Sequence, residues 1–375
     1  MTAAPVPFLD ISGGNNEVAD EVRTGWNELL RTGQFVGGDA VNRFESEWSA
    51  YCGTDFTVGV ANGTDALHLV LRGLGIGAGD EVIVPANTFV ATVEAIVLAG
   101  ARPRFADVDD GTLLLTAETL KAAATPATKA VIPVNLYGQL PDMTEIVSTA
   151  DSLGLILIED AAQAQGATWG GRRAGSFGVA GCFSFYPGKN LGAFGDAGAI
   201  VTSDAALADL LRSIRDHGRM QGEHGHYSHG VLGMNSRLDG VQAVVLSAKL
   251  RRLDGWNEAR QELMAEYRRW IDPSVARLVE ELPGGAGVHH LAVVQVEDRD
   301  RVRQQLAEQG IGTGIHYPVP GHLMTPYKEF ADGSLPVAEA AANRQLSLPM
   351  FPHLKASDVR RVAVALNTVA AGADR

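Results

Sequence analysis

One lysine in this chain stands where a lysine is costly. The stretch Phe183-Ser184-Phe185-Tyr186-Pro187-Gly188-Lys189-Asn190-Leu191-Gly192-Ala193-Phe194-Gly195-Asp196-Ala197-Gly198 sets Lys189 among aromatic, small and glycine residues. An ammonium closely packed in such a segment must be paired or neutralised. Desolvation lowers its pKa and frees the amine as a nucleophile, and attack on an aldehyde to give a Schiff base is the chemistry that suits it. An ordinary loop lysine beside a glycine turn has the same local sequence, so support has to come from elsewhere.

Three other stretches supply it. In Leu155-Ile156-Leu157-Ile158-Glu159-Asp160-Ala161-Ala162-Gln163 four aliphatic residues run straight into two carboxylates. A buried strand rarely ends that way without a cation for one of them. A pyridinium nitrogen is one such cation, and a helix N-terminus is the structural alternative. The run Thr57-Val58-Gly59-Val60-Ala61 stops at Asn62-Gly63-Thr64-Asp65 before Ala66-Leu67-His68-Leu69. A glycine turn opening a helix aims free N–H groups at one point, which suits a phosphate, although Asn and Thr also serve there as plain caps. Asn87-Thr88-Phe89 places an aromatic after the run Val82-Ile83-Val84, as a rim residue or as core.

The elements that must position these stretches can be read from periodicity. Helices are predicted over 17–32 and 41–51. Short apolar runs then alternate with helical patterns: 57–60 with 66–74, 81–85 with 91–98, 104–108 with 117–123, 130–135 with 143–153, and 155–159. That rhythm predicts an α/β fold whose mostly parallel sheet is covered by helices on both faces, with ligands beyond the carboxyl ends of the strands. Runs over 180–186 and 199–202 flank Lys189, which puts it on the link between two strands; a helix follows over 207–215. The segment 217–235 lacks periodicity and predicts a long functional loop. Its histidines His217, His224, His226 and His229 lack the spacing of a helical zinc pair and read as solvated.

A helical pattern over 241–270 carries the domain boundary, near Ala248. This gives a large domain over 1–248 and a smaller C-terminal α+β domain over 249–375, with strands at 291–296 and 315–317 and helices at 299–308, 335–344 and 356–370.

Composition narrows the function classes. A net charge of −13, from 44 acidic against 31 basic residues, repels a polyanion, so nucleic acid is not an expected partner. Cys52 and Cys182 are the only cysteines and form no CxxC or Cys/His cluster, which argues against disulfides and structural zinc and for a reducing cytoplasm. The first thirty residues lack a basic start and an apolar core, and nowhere do eighteen apolar residues run together. A soluble chain without a membrane partner is expected.

Taken together the stretches resemble the DegT/DnrJ/EryC1/StrS family of pyridoxal-phosphate-dependent sugar aminotransferases of fold type I. The resemblance covers nearly the whole chain. It rests on Asn62-Gly63-Thr64-Asp65-Ala66-Leu67, Glu159-Asp160-Ala161-Ala162-Gln163, Ser184-Phe185-Tyr186-Pro187-Gly188-Lys189-Asn190-Leu191-Gly192, Gly233-Met234-Asn235-Ser236-Arg237-Leu238-Asp239 and His316-Tyr317-Pro318. It implies that Lys189 holds the cofactor as a Schiff base and later moves the proton. It also implies that Asp160 pairs with the pyridinium nitrogen and that Gln163 meets the 3-oxygen. Gly63, Thr64 and Ser184 hold the phosphate, Phe89 stacks on the ring, and Asn235 reaches the phosphate of a partner subunit in a homodimer. Tyr186, His316, Tyr317 and His322 fall in a region that meets the sugar.

The stretch around Lys189, followed by Gly195-Asp196, is most similar to the subgroup that aminates C3 of a nucleotide-linked keto-6-deoxyhexose, usually on dTDP, with glutamate as donor and pyridoxamine phosphate as intermediate. Amination at C4 is the alternative. A sugar dehydratase of the same fold has histidine at the lysine position, which Lys189 argues against; a non-catalytic regulatory protein fits poorly with Lys189, Asp160 and Gln163 all present. Two positions depart from the pattern, Gln165 where many members have His and Ala197 where many have Gly.

Overall fold

A computed structural model describes residues 4–220 and 227–372. The strands of its first half are β1 (Phe56–Val60), β2 (Glu81–Pro85), β3 (Arg102–Ala106), β4 (Thr128–Val131), β5 (Ile156–Asp160), β6 (Thr168–Trp169) and β7 (Arg172–Arg173). Those of its second half are β8 (Ala180–Ser184), β9 (Gly198–Thr202), β10 (Arg277–Leu278), β11 (Gly285–Ala286), β12 (Ala292–Gln295) and β13 (Gln345–Leu348). Seven strands make the central sheet in the order β1-β9-β8-β5-β4-β2-β3. From β8 to β3 every neighbouring pair is parallel, and β9 alone runs against both of its neighbours.

Parallel strands buried on both faces explain why the runs look continuously apolar, yet alternate residues go to different cores. Val82, Val84 and Ile158 pack on one face against Leu67, Val93, Ile96 and Leu211, from helices Gly63–Gly73, Val90–Leu98 and Ala205–Ile214. Ile83, Leu157 and Phe183 pack on the other against Phe44, Trp48, Ile146 and Leu246, from helices Gly38–Cys52, Met143–Ser152 and Gly240–Leu250. Trp48 meets Phe183 and Phe185 edge-on at 4.9 and 5.3 Å. Truncating so buried an aromatic costs about 3–5 kcal/mol. This packing holds the strand carrying Ser184 and the start of the turn carrying Lys189.

A third core lies around the antiparallel sheet β10-β12-β13, with Tyr267, Val302, Leu306, Val362 and Leu366 from helices Leu253–Trp270, Arg299–Glu308 and Ala356–Ala371. Val6 joins it from the N-terminal segment and bridges to Ile311.

Three expectations are corrected. The first helix begins at Ser12, earlier than its periodicity shows, because Asp10 accepts from the Ser12 N–H and the weak helix formers Gly13 and Gly14 hide the start. Gly13 is needed: a Cβ there would stand 2.6 Å from the His353 ring. The pattern over 241–270 splits at Arg251 and Arg252, whose guanidinium groups cap the carbonyls of Ser247 and Ala248. No strand forms over 315–317. Gly314 pairs with Ser347, but beyond it side chains take the backbone carbonyls, Tyr137 Oη that of His316 and Gln345 Nε2 that of Tyr317. The segment 217–235 forms no helix or strand among its described residues, as expected of a loop, and isolated bridges tie it down, Asp216 to Asn235 and Arg219 to His229; His224 and His226 lie outside the described residues. Among the described residues no helix is long and apolar enough to cross a membrane.

Candidate active site

The carboxyl ends of β1, β2, β5 and β8 bring the chemical residues to one rim. At the end of β5 the pleat sends the two carboxylates to opposite faces. Glu159, fully buried, accepts from the backbone N–H groups of Gly175 and Phe177 at 2.9 and 2.6 Å and from Asn135 Nδ2 at 3.1 Å. It holds a loop. Asp160, 5% exposed, accepts from Thr92 Oγ1 at 2.7 Å and from the Ala162 N–H at 3.1 Å. Burial raises the pKa of Asp160, while those two donors and the charge of Lys189 oppose the rise. A buried carboxylate so placed has an outstanding need for a cation.

Lys189 follows β8 on a turn in which its N–H donates to the Tyr186 carbonyl at 2.8 Å. Its amine is half-buried and has no hydrogen bond among the described residues. Burial pushes its pKa down to about 8, with Asp160 pulling the other way. An appreciable fraction is therefore neutral amine near neutral pH, the form that attacks a carbonyl. Two imidazoles in its field, those of His290 and His316, are held neutral by burial and by its charge, His316 being pushed down to about 4. His290 Nδ1 meets Asn190 Oδ1 at 3.1 Å. The Asn190 amide donates to Asn257 and to the Val288 carbonyl, so its oxygen is the acceptor and His290 carries its proton on Nδ1.

A third group of residues makes an anion cradle. Helix Gly63–Gly73 starts at the end of β1, and Asn62 Oδ1 caps the Asp65 N–H at 2.8 Å. The N–H groups of Gly63 and Thr64 have no partner among the described residues, as expected for a first helical turn. Gly63 lies against Ser184, where a Cβ would approach Ser184 Cβ to 2.7 Å. Ser236 Oγ donates to Asp65 at 2.6 Å and pins the next segment beside this turn. Asn235, one residue earlier, is exposed, and no hydrogen bond ties its side chain among the described residues.

Other expected residues are distributed less evenly. Phe89 is 49% exposed with its ring 5.2 Å from Tyr317, an open aromatic face at the rim. Gln163 is buried, accepting from the Tyr137 N–H at 2.7 Å and donating to Tyr317 Oη at 3.0 Å. His316 stacks on Phe8 and meets Ser347 Oγ at 2.8 Å, while Tyr186 is 60% exposed. His322 is not brought into the cluster: it is 1% exposed, its Nε2 meets Glu339 at 3.1 Å, and its ring lies by Phe105. Gln165 is fully buried and donates to the carbonyls of Ala162 and Ser184, so it braces the site from behind. Ala197, also buried, offers its carbonyl to the Phe185 N–H.

Sequence reasoning passed over Thr92, Asn190, Tyr137 and His290. Thr92 had a signal, a lone hydroxyl in the aliphatic helix Val90–Leu98. Tyr137 had none, because its φ of 61° and its bonds to His316 and Gln345 exist only in the folded chain.

An α/β sheet that brings a lysine with a free amine, a buried carboxylate and a helix-start cradle to one rim has the parts that a pyridoxal-phosphate-dependent aminotransferase needs. The chain belongs to the DegT/DnrJ/EryC1/StrS aminotransferase family, whose model matches residues 16–367. It is 44% identical over 374 residues to the dTDP-3-amino-3,4,6-trideoxy-alpha-D-glucose transaminase of Streptomyces venezuelae, covering 99% of this chain and 97% of that one. It is also 44% identical over 361 residues to the UDP-N-acetyl-3-dehydro-alpha-D-glucosamine 3-aminotransferase of Acidithiobacillus ferrooxidans, covering 96% and 97%. The crystal structure of S. venezuelae DesV in complex with a ketimine intermediate matches with a TM-score of 0.94 at 44% identity, over 98% of this chain and 99% of that one. The chain is therefore a nucleotide-sugar aminotransferase, and its family implies pyridoxal and pyridoxamine phosphate chemistry.

Proposed function

We propose that this enzyme transfers an amino group from L-glutamate to C3 of a dTDP-linked 3-keto-6-deoxyhexose. The observation that carries the reading is the lowered pKa and free amine of Lys189, set in the field of Asp160. The fit of the residues to the cofactor rests on the free first-turn N–H groups at Gly63 and Thr64, where Gly63 packs too close to Ser184 for a side chain, and on the need of Asp160 for a cation. The cofactor, when bound, supplies an electrophilic carbon and a ring that withdraws electrons.

The chain's own groups do the rest. Asp160, oriented by Thr92 and the Ala162 N–H, would keep the ring nitrogen of a bound cofactor protonated. Gly63, Thr64 and Ser184 would hold its phosphate, Phe89 would cover its ring and Gln163 would meet its 3-oxygen. Lys189 Nζ would anchor it and would take up and return the proton. Neutral His316, with Tyr317 and Tyr186, offers hydrogen bonds to the sugar without adding charge. Amination at C3, and not C4, is supported by the likeness to two enzymes named for 3-amino and 3-dehydro sugars. A coupled assay against dTDP- and UDP-linked 3-keto and 4-keto sugars tests this: the dTDP-3-keto substrate should give the highest kcat/KM, and a preference for a 4-keto sugar would overturn it.

The same reading makes the enzyme a homodimer in which Asn235 serves the partner's cofactor, and it divides the chain at residue 248. Asn235 is exposed, and no hydrogen bond within its own chain ties its side chain among the described residues, which leaves it free to reach a partner. Mixing inactive Lys189→Ala and Asn235→Asp subunits should restore activity toward about a quarter of wild type, because half of random dimers are mixed and each has one intact site. No recovery after confirmed subunit exchange would place Asn235 in its own chain's site.

A further inference from the structure

We infer that a cavity beside the Lys189 turn, walled by Arg260 and Lys249, seats a carboxylate of the amino donor. This rests on the reading of the chain as a transaminase using an amino-acid donor. The cavity measures about 40 Å³, and its wall includes Asn15, Gly188, Lys189, Lys249, Arg260 and His353.

Two buried cations face it without a counter-ion. Arg260 is 3% exposed and Lys249 4% exposed, and neither forms an ion pair among the described residues. Arg260 Nη1 donates to the carbonyls of Met350 at 3.1 Å, His289 at 3.2 Å and His290 at 3.5 Å. Its Nε is buried with no acceptor, and no protein acceptor is found for Nη2 among the described residues. Lys249 Nζ donates to Asn15 Oδ1 and the Gly192 carbonyl, both at 2.8 Å, and lies 4.7 Å from the centre of the Phe194 ring. Asp10, also in the wall, points one oxygen at the Ser12 N–H, and Glu17 outside it is held by His353 and Trp256, so neither pairs with Arg260 or Lys249.

Buried charge without a partner is costly, and the cost shows in both groups, Lys249 pushed down to about 8 and Arg260 to about 9 by burial. An anion entering the cavity relieves it. Size is compatible with a small anion: a water needs roughly 10–15 Å³ of such space, so a carboxylate fits. Position selects the source, since the same wall contains Lys189, to which the donor's amino group must come. A guanidinium is also a cation well shaped for a carboxylate, and Nη2 is the Arg260 nitrogen left to meet one, because Nε is buried and Nη1 is taken by carbonyls.

Glutarate, the dicarboxylate lacking the amino group, is the probe, titrated by calorimetry into the holoenzyme. Wild type should bind it, and its diamide should not bind. Arg260→Gln should weaken binding by roughly 10- to 100-fold, the worth of one or two charge-assisted hydrogen bonds. Asn15→Asp, an isosteric change in the first turn of a helix where a carboxylate is tolerated, should give Lys249 an internal partner and weaken binding by about tenfold. In both variants the KM for the keto sugar in the single half-reaction should stay unchanged. Wild-type affinity in a folded Arg260→Gln overturns the assignment. If that variant does not fold, unaltered affinity in Asn15→Asp overturns it, as does failure of wild type to bind glutarate. Calorimetry contains no sugar, so a wrong sugar substrate leaves this result standing, and loss of glutarate binding leaves the sugar assay standing.

Discussion

Lys189 and Lys249 are both pushed by burial to a pKa of about 8, yet only one is placed to react. Lys249 sits in the last turn of helix Gly240–Leu250, spends its hydrogens on Asn15 and Gly192, and stands over the Phe194 ring. Lys189 sits on a strand-to-strand turn, its amine has no hydrogen bond among the described residues, and it shares its field with Asp160. A lowered pKa reports desolvation alone. What separates nucleophile from structural cation is whether the amine is left without acceptors on the side where substrate arrives.

The largest test of that contrast is Lys189→Ala, which should abolish nearly all turnover while the fold persists. Borohydride reduction of the holoenzyme and peptide mapping should put the pyridoxyl label on Lys189; a label on Lys249 would reverse the comparison. Next comes Asp160→Asn, which removes the charge that holds the ring nitrogen protonated. Turnover should fall by several orders of magnitude, each tenfold being about 1.4 kcal/mol of barrier. Glu159→Gln probes the other carboxylate of the pair, and should lower the melting temperature without a comparable loss of kcat per folded molecule.

Much of this was legible before folding. The boundaries of Glu81–Pro85 and Ala117–Ala123 are those the pattern predicts, the strand because its run is short, apolar and bounded by turns, the helix because Thr116 caps its start. Asp160 and Lys189 were legible because a carboxylate or an ammonium in an apolar stretch conflicts with its surroundings. Arg260 was not, since an arginine at helical spacing in Leu253–Trp270 reads as a solvated face, and only the fold shows it 3% exposed. His322 misled in the opposite way: a histidine in a loop near the sugar region suggests contact, but Gly321 packs against Phe105 and carries the ring inward.

A smaller effect is expected at Thr92, whose hydroxyl orients Asp160. Thr92→Val keeps the shape and removes one hydrogen bond to a charged group, worth about 1.5–3 kcal/mol. The rate should drop by roughly tenfold or somewhat more, with KM for the sugar nucleotide little changed. An unchanged rate would mean that the Ala162 N–H alone fixes the carboxylate.

The smallest effect separates the two lysines by stability in the apoprotein. Their pKa in the folded chain is about 8, against the ordinary 10.5 for a free lysine. Between those values the unfolded chain binds protons that the folded chain does not, so each lysine makes stability rise with pH across that window, by at most about 1.4 kcal/mol per pH unit. Cys52 and Cys182 act oppositely, because burial pushes both thiols up and only the unfolded chain releases their protons there. Differences between wild type and a lysine variant cancel the thiol contribution. Lys249→Met should therefore reduce the pH slope of the melting temperature between about pH 8 and 10, and Lys189→Met should reduce it by a similar amount. Equal losses mean that burial alone sets both amines and that hydrogen bonding decides their roles. A slope unaltered by Lys249→Met would show that Asn15 and Gly192 hold that amine protonated, and the distinction from Lys189 would then lie in the pKa itself.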